Sequence, residues 1–416
     1  MEDKKNTLEL DHLLKLAMDK GASDVHFKAG TVPVMRRHGR LRPIEKDLPY
    51  LTGDFIEKVA QTIMSQEQYQ TYLTKKEIDL GYGVKGLGRF RINVFRQRGT
   101  SRIVIRNIPF TVPQLQDLSL PEVVNKIAKY ERGLILVTGA TGSGKSTTIA
   151  AIIDYINRTK NKHILTIEDP IEFLIRDRRS IVTQRELGID ARDFPSALRA
   201  ALRQDPDVIL IGEMRDQETI ETALMAAETG HLVLSTLHTL DCQETTNRIL
   251  SVFSGAKENQ TRLQFAGVLK AIISQRLANR TDGQGFVPAV EVLINNARVR
   301  RMIELPARTK DISAAIEEGH VSYGMQTFDQ SLMGLVTNGL ITYEEATRLS
   351  DNDADFAVKF SGISKGDGES EWQKNHSYQQ KVANAWENLS ELELDVNLTQ
   401  PKIATGEEDE GEDPEE

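Results

Sequence analysis

The segment Gly139–Ser146 constrains this 416-residue chain more than any other. Its pattern, G-x-x-x-x-G-K-S, is that of a phosphate-binding loop, and it lies between a strand-like apolar run at 134–138 and a helix-like run at 147–156. The glycines allow backbone N–H groups to turn towards a phosphate, and the helix N-terminus adds a favourable field for an anion. The alternative, a chance glycine-rich turn, is disfavoured by the flanking strand and helix. The sequence therefore predicts binding of a nucleoside triphosphate.

Each part of the loop has an expected task. Lys145 is expected to reach the β- and γ-phosphates of ATP, and the Ser146 hydroxyl is expected to ligate Mg²⁺. The predicted nucleotide-binding residues are Gly139, Ala140, Thr141, Gly142, Ser143, Gly144, Lys145, Ser146 and Thr147. ATP and Mg²⁺ are therefore the predicted cofactors.

The charge of the chain disfavours nucleic acid as its main partner. The formal net charge is −9, but residues 407–416 hold eight acids and no base, so the remainder carries only −1. A surface that neutralises phosphates normally shows an excess of basic residues. We therefore expect no nucleic acid partner, although the bulk charge leaves a local basic groove open.

Two further features indicate a cytoplasmic protein. No apolar run approaches the roughly 20 residues that a membrane-spanning helix needs. The single cysteine, Cys242, excludes an internal disulfide and fits a reducing compartment.

The pattern of apolar residues changes along the chain and predicts its domains. Residues 1–110 mix helix-like runs with short alternating strand-like runs, which predicts an α+β domain, and 111–121 are typical of a linker. The polar and acidic segment 361–416 is expected to be a disordered tail.

Residues 122–360 are expected to form a second domain. Its helix-like stretches alternate with aliphatic runs, which predicts an α/β fold with a parallel sheet; the runs lie at 134–138, 164–168, 208–211 and 232–236. Residues 257–360 are expected to be mostly helical, except for 277–294.

Acidic residues follow two of these predicted strands. Glu168 ends the run at 164–168 and Glu172 follows it, and Glu213 comes after the run at 208–211. The carboxyl ends of parallel strands meet at the edge that also carries the phosphate-binding loop, where acids can act on a bound nucleotide. A single glutamate is usually a cap or an exposed loop residue, but two clusters placed in this way favour a catalytic role.

Histidines and arginines give weaker signals. His231 and His238 lie on either side of the run at 232–236, and their spacing leaves a role at the nucleotide and simple packing equally open. Five arginines crowd the end of the first domain, either as a solvated basic edge or as a set presented to a triphosphate, including that of a neighbouring subunit. They are Arg89, Arg91, Arg96, Arg98 and Arg102.

Taken together, these motifs resemble the secretion ATPases of type IV pili and type II secretion. The likeness runs from about residue 8 to 360 and rests on the loop, on E-D-P-I-E at 168–172, on G-E-M-R-D at 212–216, and on the segments around the two histidines. The resemblance implies an N-terminal PAS-like domain followed by a RecA-like P-loop ATPase domain with C-terminal helices.

The resemblance also assigns roles by position. It implies that Glu172 is the general base for the attacking water and that Glu213 is the acid of an atypical Walker B motif, in which Gly212 replaces the usual aspartate. It assigns His231 and His238 to the family's His box. It further implies that arginines face the nucleotide across a hexamer interface, and we select Arg91, Arg96 and Arg98 as these residues.

Two absences favour the retraction branch of this family. The segment 276–285 lacks the four-cysteine zinc loop of extension and secretion motors, and only about seven residues precede the first matching helix. Residues 297–303 keep the shape of the retraction signature with altered letters, which leaves two kinds of retraction motor open.

The resulting expectation is a homohexameric ATP-hydrolysing motor that powers pilus retraction and twitching motility. It would lie in the cytoplasm against the bacterial inner membrane, with a pilus platform protein and a second retraction ATPase as partners. The alternatives are an extension or type II secretion ATPase, and an ATP-binding accessory subunit of another retraction motor.

Overall fold

The computed structural model describes residues 9–37, 40–108, 111–283 and 285–364. The strands are β1 Asp24–Phe27, β2 Val34–Arg37, β3 Arg40–Pro43, β4 Glu77–Val84, β5 Gly88–Gln97, β6 Thr100–Ile108, β7 Gly133–Thr138, β8 His163–Glu168, β9 Ile181–Glu186, β10 Val208–Ile211, β11 Leu232–Leu237, β12 Leu269–Asn279 and β13 Phe286–Ile294. The helices are α1 Leu10–Asp19, α2 Gly53–Ile63, α3 Gln66–Lys75, α4 Val123–Ile127, α5 Lys145–Thr159, α6 Phe194–Ala201, α7 Gln217–Glu228, α8 Cys242–Ser251, α9 Ala256–Val268, α10 Ala297–Glu304, α11 Ile312–Glu318, α12 His320–Tyr323, α13 Phe328–Thr337, α14 Tyr343–Leu349 and α15 Asp353–Ser364.

The first sheet is antiparallel and has the strand order β3-β2-β1-β6-β5-β4. In β5, apolar residues such as Phe90 and Ile92 are buried and alternate with Arg89 and Arg91 on the opposite face, as the period of two requires. The helices α2 and α3 are capped at their N-termini by Thr52 and Ser65, whose side chains accept backbone N–H groups of the first helical turn. These helices and strands confirm the α+β composition that the sequence predicted for this part of the chain.

The second sheet has the order β13-β12-β7-β11-β10-β8-β9. All pairs from β12 to β9 are parallel, and β13 is antiparallel to β12 at one edge. Helices cover both faces, so that every residue of β7 and of β11 is buried. The structure thus confirms the predicted α/β fold with a parallel sheet.

One stretch of the chain differs from the prediction. Residues 269–276 were expected to be helical, but they form the first part of β12. The apolar run that begins at Leu269 fits either conformation by itself, and β12 pairs with β7 on one side and with β13 on the other. These long-range hydrogen bonds, which a local pattern does not reveal, decide for a strand.

At the end of the described chain, α15 continues to Ser364, so residues 361–364 are helical and do not belong to a disordered tail. The prediction for 365–416 lies outside the described residues. Among the residues that the structure does describe, no helix combines the length and the apolar composition needed to span a bilayer.

The parallel order decides which loops meet. The strands β7, β11, β10 and β8 are consecutive neighbours, so the residues that follow them lie along one edge of the sheet, which we call the carboxyl edge. His238 follows β11, the strand next to β7. Because neighbouring strands are about 5 Å apart, Glu213 after β10 lies about 10 Å from β7 along this edge, and Glu168 at the end of β8 lies about 15 Å from β7. The opposite side, where these strands begin, is the amino edge.

Candidate active site

The phosphate-binding loop connects β7 to α5. Gly139, Gly142 and Gly144 have positive φ angles of 138°, 84° and 92°. A Cβ atom at Gly139 would lie 2.4 Å from the carbonyl oxygen of Gln275, so this position has no room for a side chain. The loop is therefore held in the curled form that a phosphate-binding loop requires.

Lys145 begins α5 and is nearly buried. Its Nζ donates hydrogen bonds to the carbonyl oxygens of Gly139 at 2.8 Å and Ala140 at 2.9 Å. Burial lowers the pKa of the ammonium group, and the negative charge of Glu213 partly opposes that effect. The ammonium thus lies against its own loop, where phosphate oxygens would be stronger acceptors than the carbonyls.

Ser146 is exposed in the first turn of α5, at the position where a P-loop hydroxyl meets Mg²⁺. The described residues contain no group of three or more His, Cys, Asp or Glu side chains placed to hold a metal ion. At Gly212, a Cβ atom would lie 3.3 Å from the backbone of Glu168 and from the carbonyl oxygen of Ile167. The neighbouring strand thus leaves little room for an aspartate at this position, and Ser146 is the residue of the loop that would hold Mg²⁺.

Glu213 lies between Arg215 and His238 beyond the end of β10. Its Oε2 is 2.7 Å from Arg215 Nε and 3.3 Å from His238 Nε2. Its charge also acts on Lys145, as described above. The tertiary structure therefore brings together Glu213, His238 and Lys145, which the sequence analysis proposed separately.

The loop after β8 carries two glutamates in different environments. Glu172 is exposed, whereas Glu168 is buried. The Glu168 carboxylate accepts hydrogen bonds from Thr166 Oγ1 at 2.7 Å and from Gln184 Nε2 at 3.1 Å. Burial raises the pKa of Glu168, and the charge of Glu172 adds to this increase. Glu172 therefore lies close enough for its charge to act on the buried Glu168 carboxyl group.

His231 is not near the loop of its own chain. It precedes β11 at the amino edge, where its Nδ1 lies 2.9 Å from the carbonyl oxygen of Ala226 and 3.2 Å from Thr229 Oγ1. The six residues of β11 separate it from His238 by roughly 20 Å. The two histidines that the sequence analysis grouped together therefore lie on opposite sides of the sheet.

The arginines of the first sheet have distinct partners. Arg91 Nε is 3.8 Å from Asp79, and Arg96 Nη2 is 3.3 Å from Glu57 while its guanidinium lies over the ring of Tyr72. Arg98 is exposed in the turn between β5 and β6, with a positive φ of 51°. Arg89 contacts the second sheet and is considered below.

A cavity of about 410 Å³ opens beside the loop. It is bounded by Ser143, Gly144 and Thr147 on one side, by residues 117–120 on another, and by the hairpin of β12 and β13. The Ser143 hydroxyl is buried and has no hydrogen-bond partner among the described residues. The volume is in the range of ligand pockets.

The sequence analysis did not select Gln275 as a site residue. Gln275 lies in β12, and its Nε2 donates a 2.9 Å hydrogen bond to Thr148 Oγ1 in α5. It is part of the wall of the cavity, and its backbone limits Gly139 as described above. The segment 274–277 is part of the resemblance to the secretion ATPases, but its place beside the loop follows only from the pairing of β12 with β7.

Comparison with known proteins supports the resemblance to the secretion ATPases. The family model described as type II/IV secretion system protein matches residues 2–300. The type IV pilus ATPase PilT of Pseudomonas aeruginosa, named there as the retraction ATPase, is 43% identical over 339 residues, which cover 82% of this chain and 97% of the relative. The ATPase PilU of the same organism is 38% identical over 362 residues, which cover 86% of this chain and 94% of that protein.

A solved structure has the same fold. The crystal structure of the pilus retraction motor PilT with bound ADP matches with a TM-score of 0.78 and 44% identity, over 84% of this chain and 99% of that one. The resemblance seen in the motifs is thereby confirmed over most of the chain. This chain belongs to the type II/IV secretion system protein family.

Proposed function

We propose that this protein is an ATP-hydrolysing motor that powers retraction of a type IV pilus. The observation that carries the proposal is the carboxyl edge, where the phosphate-binding loop, Glu213 and His238 meet in one sheet. The two pilus ATPases and the ADP-bound retraction motor described above support the same function.

The residues of the carboxyl edge can divide the chemistry among them. Lys145 and the loop N–H groups stabilise charge on the β- and γ-phosphates, and Mg²⁺, when bound through Ser146, screens the same oxygens. Glu172, exposed on its loop, accepts a proton from the attacking water. Glu213 and His238, being in contact with each other, respond together to the presence of the γ-phosphate.

The active form is proposed to be a homohexamer. Arg91, Arg96 and Arg98 lie on the first sheet, where they interact with its own groups or with solvent, so we assign them to the nucleotide of a neighbouring subunit. His231 lies at the amino edge, away from the phosphate-binding loop of its own chain, so we assign it to a contact with a neighbouring subunit.

We propose the domain boundaries 1–110, 111–121 and 122–360. The proposed partners are a pilus platform protein at the inner membrane and a second retraction ATPase.

A turnover assay tests the enzymatic part of the proposal. Purified protein with ATP and Mg²⁺ should release phosphate, and Glu172→Gln should reduce kcat about 100-fold because the attacking water loses its base. Glu67→Gln removes an exposed carboxylate of α3 and is the matched control. Equal turnover by Glu172→Gln and the wild type would refute the role of Glu172.

A gene deletion tests the biological part. Loss of retraction should leave cells with more pili and without twitching. Loss of pili would instead indicate an extension or secretion ATPase. Unchanged piliation together with impaired retraction under load would indicate an accessory subunit.

A further inference from the structure

The contact between the two sheets includes a buried ion pair. Arg89 in β5 donates from Nη2 to Oε2 of Glu186, the last residue of β9, at 2.7 Å. The Glu186 side chain is only 3% exposed and that of Arg89 is 23% exposed. A largely desolvated pair of this kind is costly to form unless its geometry is good, and removing one partner leaves a buried charge without compensation.

The first sheet is shaped to accept this pair. Gly81 in β4 lies beside it, and a Cβ atom there would come within 2.6 Å of Glu186 Oε1 and 2.8 Å of Arg89 Nη2. Both distances are shorter than real Cβ contacts, so a side chain at position 81 would displace the ends of the Glu186 and Arg89 side chains. Gly81 therefore lets both side chains keep the positions in which they contact each other.

Glu186 also holds the loop that carries Glu172. The same Oε2 atom accepts a hydrogen bond from the backbone N–H of Ile171 at 3.2 Å. Glu168 is paired with Glu186 in the register of β8 and β9, so the two buried carboxylates lie at the ends of adjacent strands. Glu186 thus fixes the backbone next to Glu172 and is itself bound to the first sheet.

We propose that the Arg89–Glu186 pair is a latch through which the first sheet positions the loop of Glu172, with Glu186 as the positioning residue. A displacement of the first sheet moves the Arg89 guanidinium, which shares the Oε2 atom that holds Ile171. The position of Glu172 then depends on the first sheet. The proposal deepens the proposed function, because it rests on Glu172 as the base.

The arginines of the first sheet are thereby divided by task. Arg89 acts within its own chain, whereas Arg91, Arg96 and Arg98 are proposed to act on a neighbour. Arg89 and Arg91 share one face of β5 and differ by only two positions, so the sequence pattern does not distinguish them. The difference arises from Glu186, which lies opposite Arg89 in the folded chain.

The test compares kcat and KM of the purified full-length assembly. Arg89→Ala and Glu186→Gln should each lower kcat for ATP about tenfold with KM changed less than twofold, because the phosphate-binding loop is untouched. Their double variant should lose no more than either single variant, since both remove one interaction. Arg89→Lys, which keeps the charge, should recover at least half of the wild-type kcat.

Two further variants control for damage to the fold. Arg106→Ala removes a similar ion pair, that of Arg106 with the buried Asp24 inside the first sheet, and should leave kcat unchanged. Gly81→Ala displaces the tips of both latch side chains without removing a charge, and should lower kcat as Arg89→Ala does. If Arg89→Ala behaves like Arg106→Ala, or if the double variant loses the product of the single effects, the latch is refuted.

Glu172→Gln, measured in the same series, separates this result from the proposed function. Low turnover of Glu172→Gln with normal turnover of Arg89→Ala refutes the latch and keeps the base. Normal turnover of Glu172→Gln refutes the base. A reduced kcat of Arg89→Ala would then show a latch that positions a different group of the same loop.

Discussion

The pKa values of ionisable residues are shifted in opposite directions at the two edges of the parallel sheet: towards the charged forms at the amino edge and towards the neutral forms at the carboxyl edge. At the amino edge, Asp207 accepts the backbone N–H of His163 at 2.9 Å and the Lys162 ammonium at 3.0 Å. Partial burial tends to raise the pKa of Asp207, but these partners outweigh it and the pKa is lowered. The hydrogen bond to Asp207 likewise raises the pKa of Lys162. Each group is thus stabilised in its charged form.

At the carboxyl edge, burial favours the neutral forms. It lowers the pKa of Lys145, raises that of Glu168, and raises that of Glu291 to about 7. Glu291 lies level with Thr138, since both are paired with Ser274. Perturbed groups of this kind are characteristic of functional sites. The comparison teaches that the amino edge contributes to stability, while the carboxyl edge gives up stability to place charges where a triphosphate binds.

The largest test of this contrast is Lys145→Ala. The substitution removes the cation that faces the phosphates, and kcat/KM for ATP should fall about 1,000-fold, which corresponds to about 4 kcal/mol. Lys162→Ala, the matched change at the amino edge, should stay within twofold of the wild type. Phosphate release at saturating Mg²⁺ measures both. A comparable loss in Lys162→Ala would break the distinction between the edges.

The next test concerns the stability cost of Glu291. Its pKa rises from the ordinary 4.5 to about 7 on folding, so between these values the folded chain holds a proton that the unfolded chain releases. Stability should therefore fall by about 3 kcal/mol as the pH rises through this window and stay reduced above it.

Glu291→Gln keeps an acceptor for the N–H of Cys242 and should abolish this fall. Thermal unfolding of the nucleotide-free protein at pH 5 and pH 8 measures the difference. The Tm of Glu291→Gln should exceed that of the wild type at pH 8, and the two should be nearly equal at pH 5. The control Glu67→Gln should show no such dependence on pH. A gain of equal size at both values would contradict a titration of Glu291.

The two histidines give a smaller test. His238→Ala removes the contact with Glu213 and should lower kcat about tenfold, or about 1.4 kcal/mol. His231→Ala should leave kcat within twofold in a dilute, monomeric sample, because its ring lies at the amino edge. If His231→Ala lowers turnover only in the assembled protein, the proposed role of His231 at a subunit contact is supported. A loss in the monomer would contradict it.

The smallest effect is expected for Asp207→Asn. The lowered pKa of Asp207 means that its contribution to stability is present above pH 3.8 and is lost as the pH falls through the folded-state pKa. The side chain is partly exposed, so solvent screening should limit the loss to less than about 1 kcal/mol at pH 7. Urea unfolding at pH 7 and at progressively lower pH checks the sign. A loss that stays constant while Asp207 becomes protonated in the folded protein would exclude a charge effect.

Several parts of the fold follow from local pattern. The buried strands β7, β8, β10 and β11 were predictable because a strand covered on both faces is a continuous aliphatic run. The strand β12 was not, because its apolar run is compatible with a helix until β7 and β13 are beside it. The polar β9 lies at the edge of the sheet and has no such run.

The sequence by itself determined the phosphate-binding loop, the α/β class and the family, because these depend on residues that are close together along the chain. The tertiary structure decided which distant residues meet. It placed His238 beside Glu213 and His231 at the other edge, and it joined Arg89 to Glu186 across 97 positions of sequence. The physical reason is that strand order and sheet packing set these distances, and neither is encoded in local spacing.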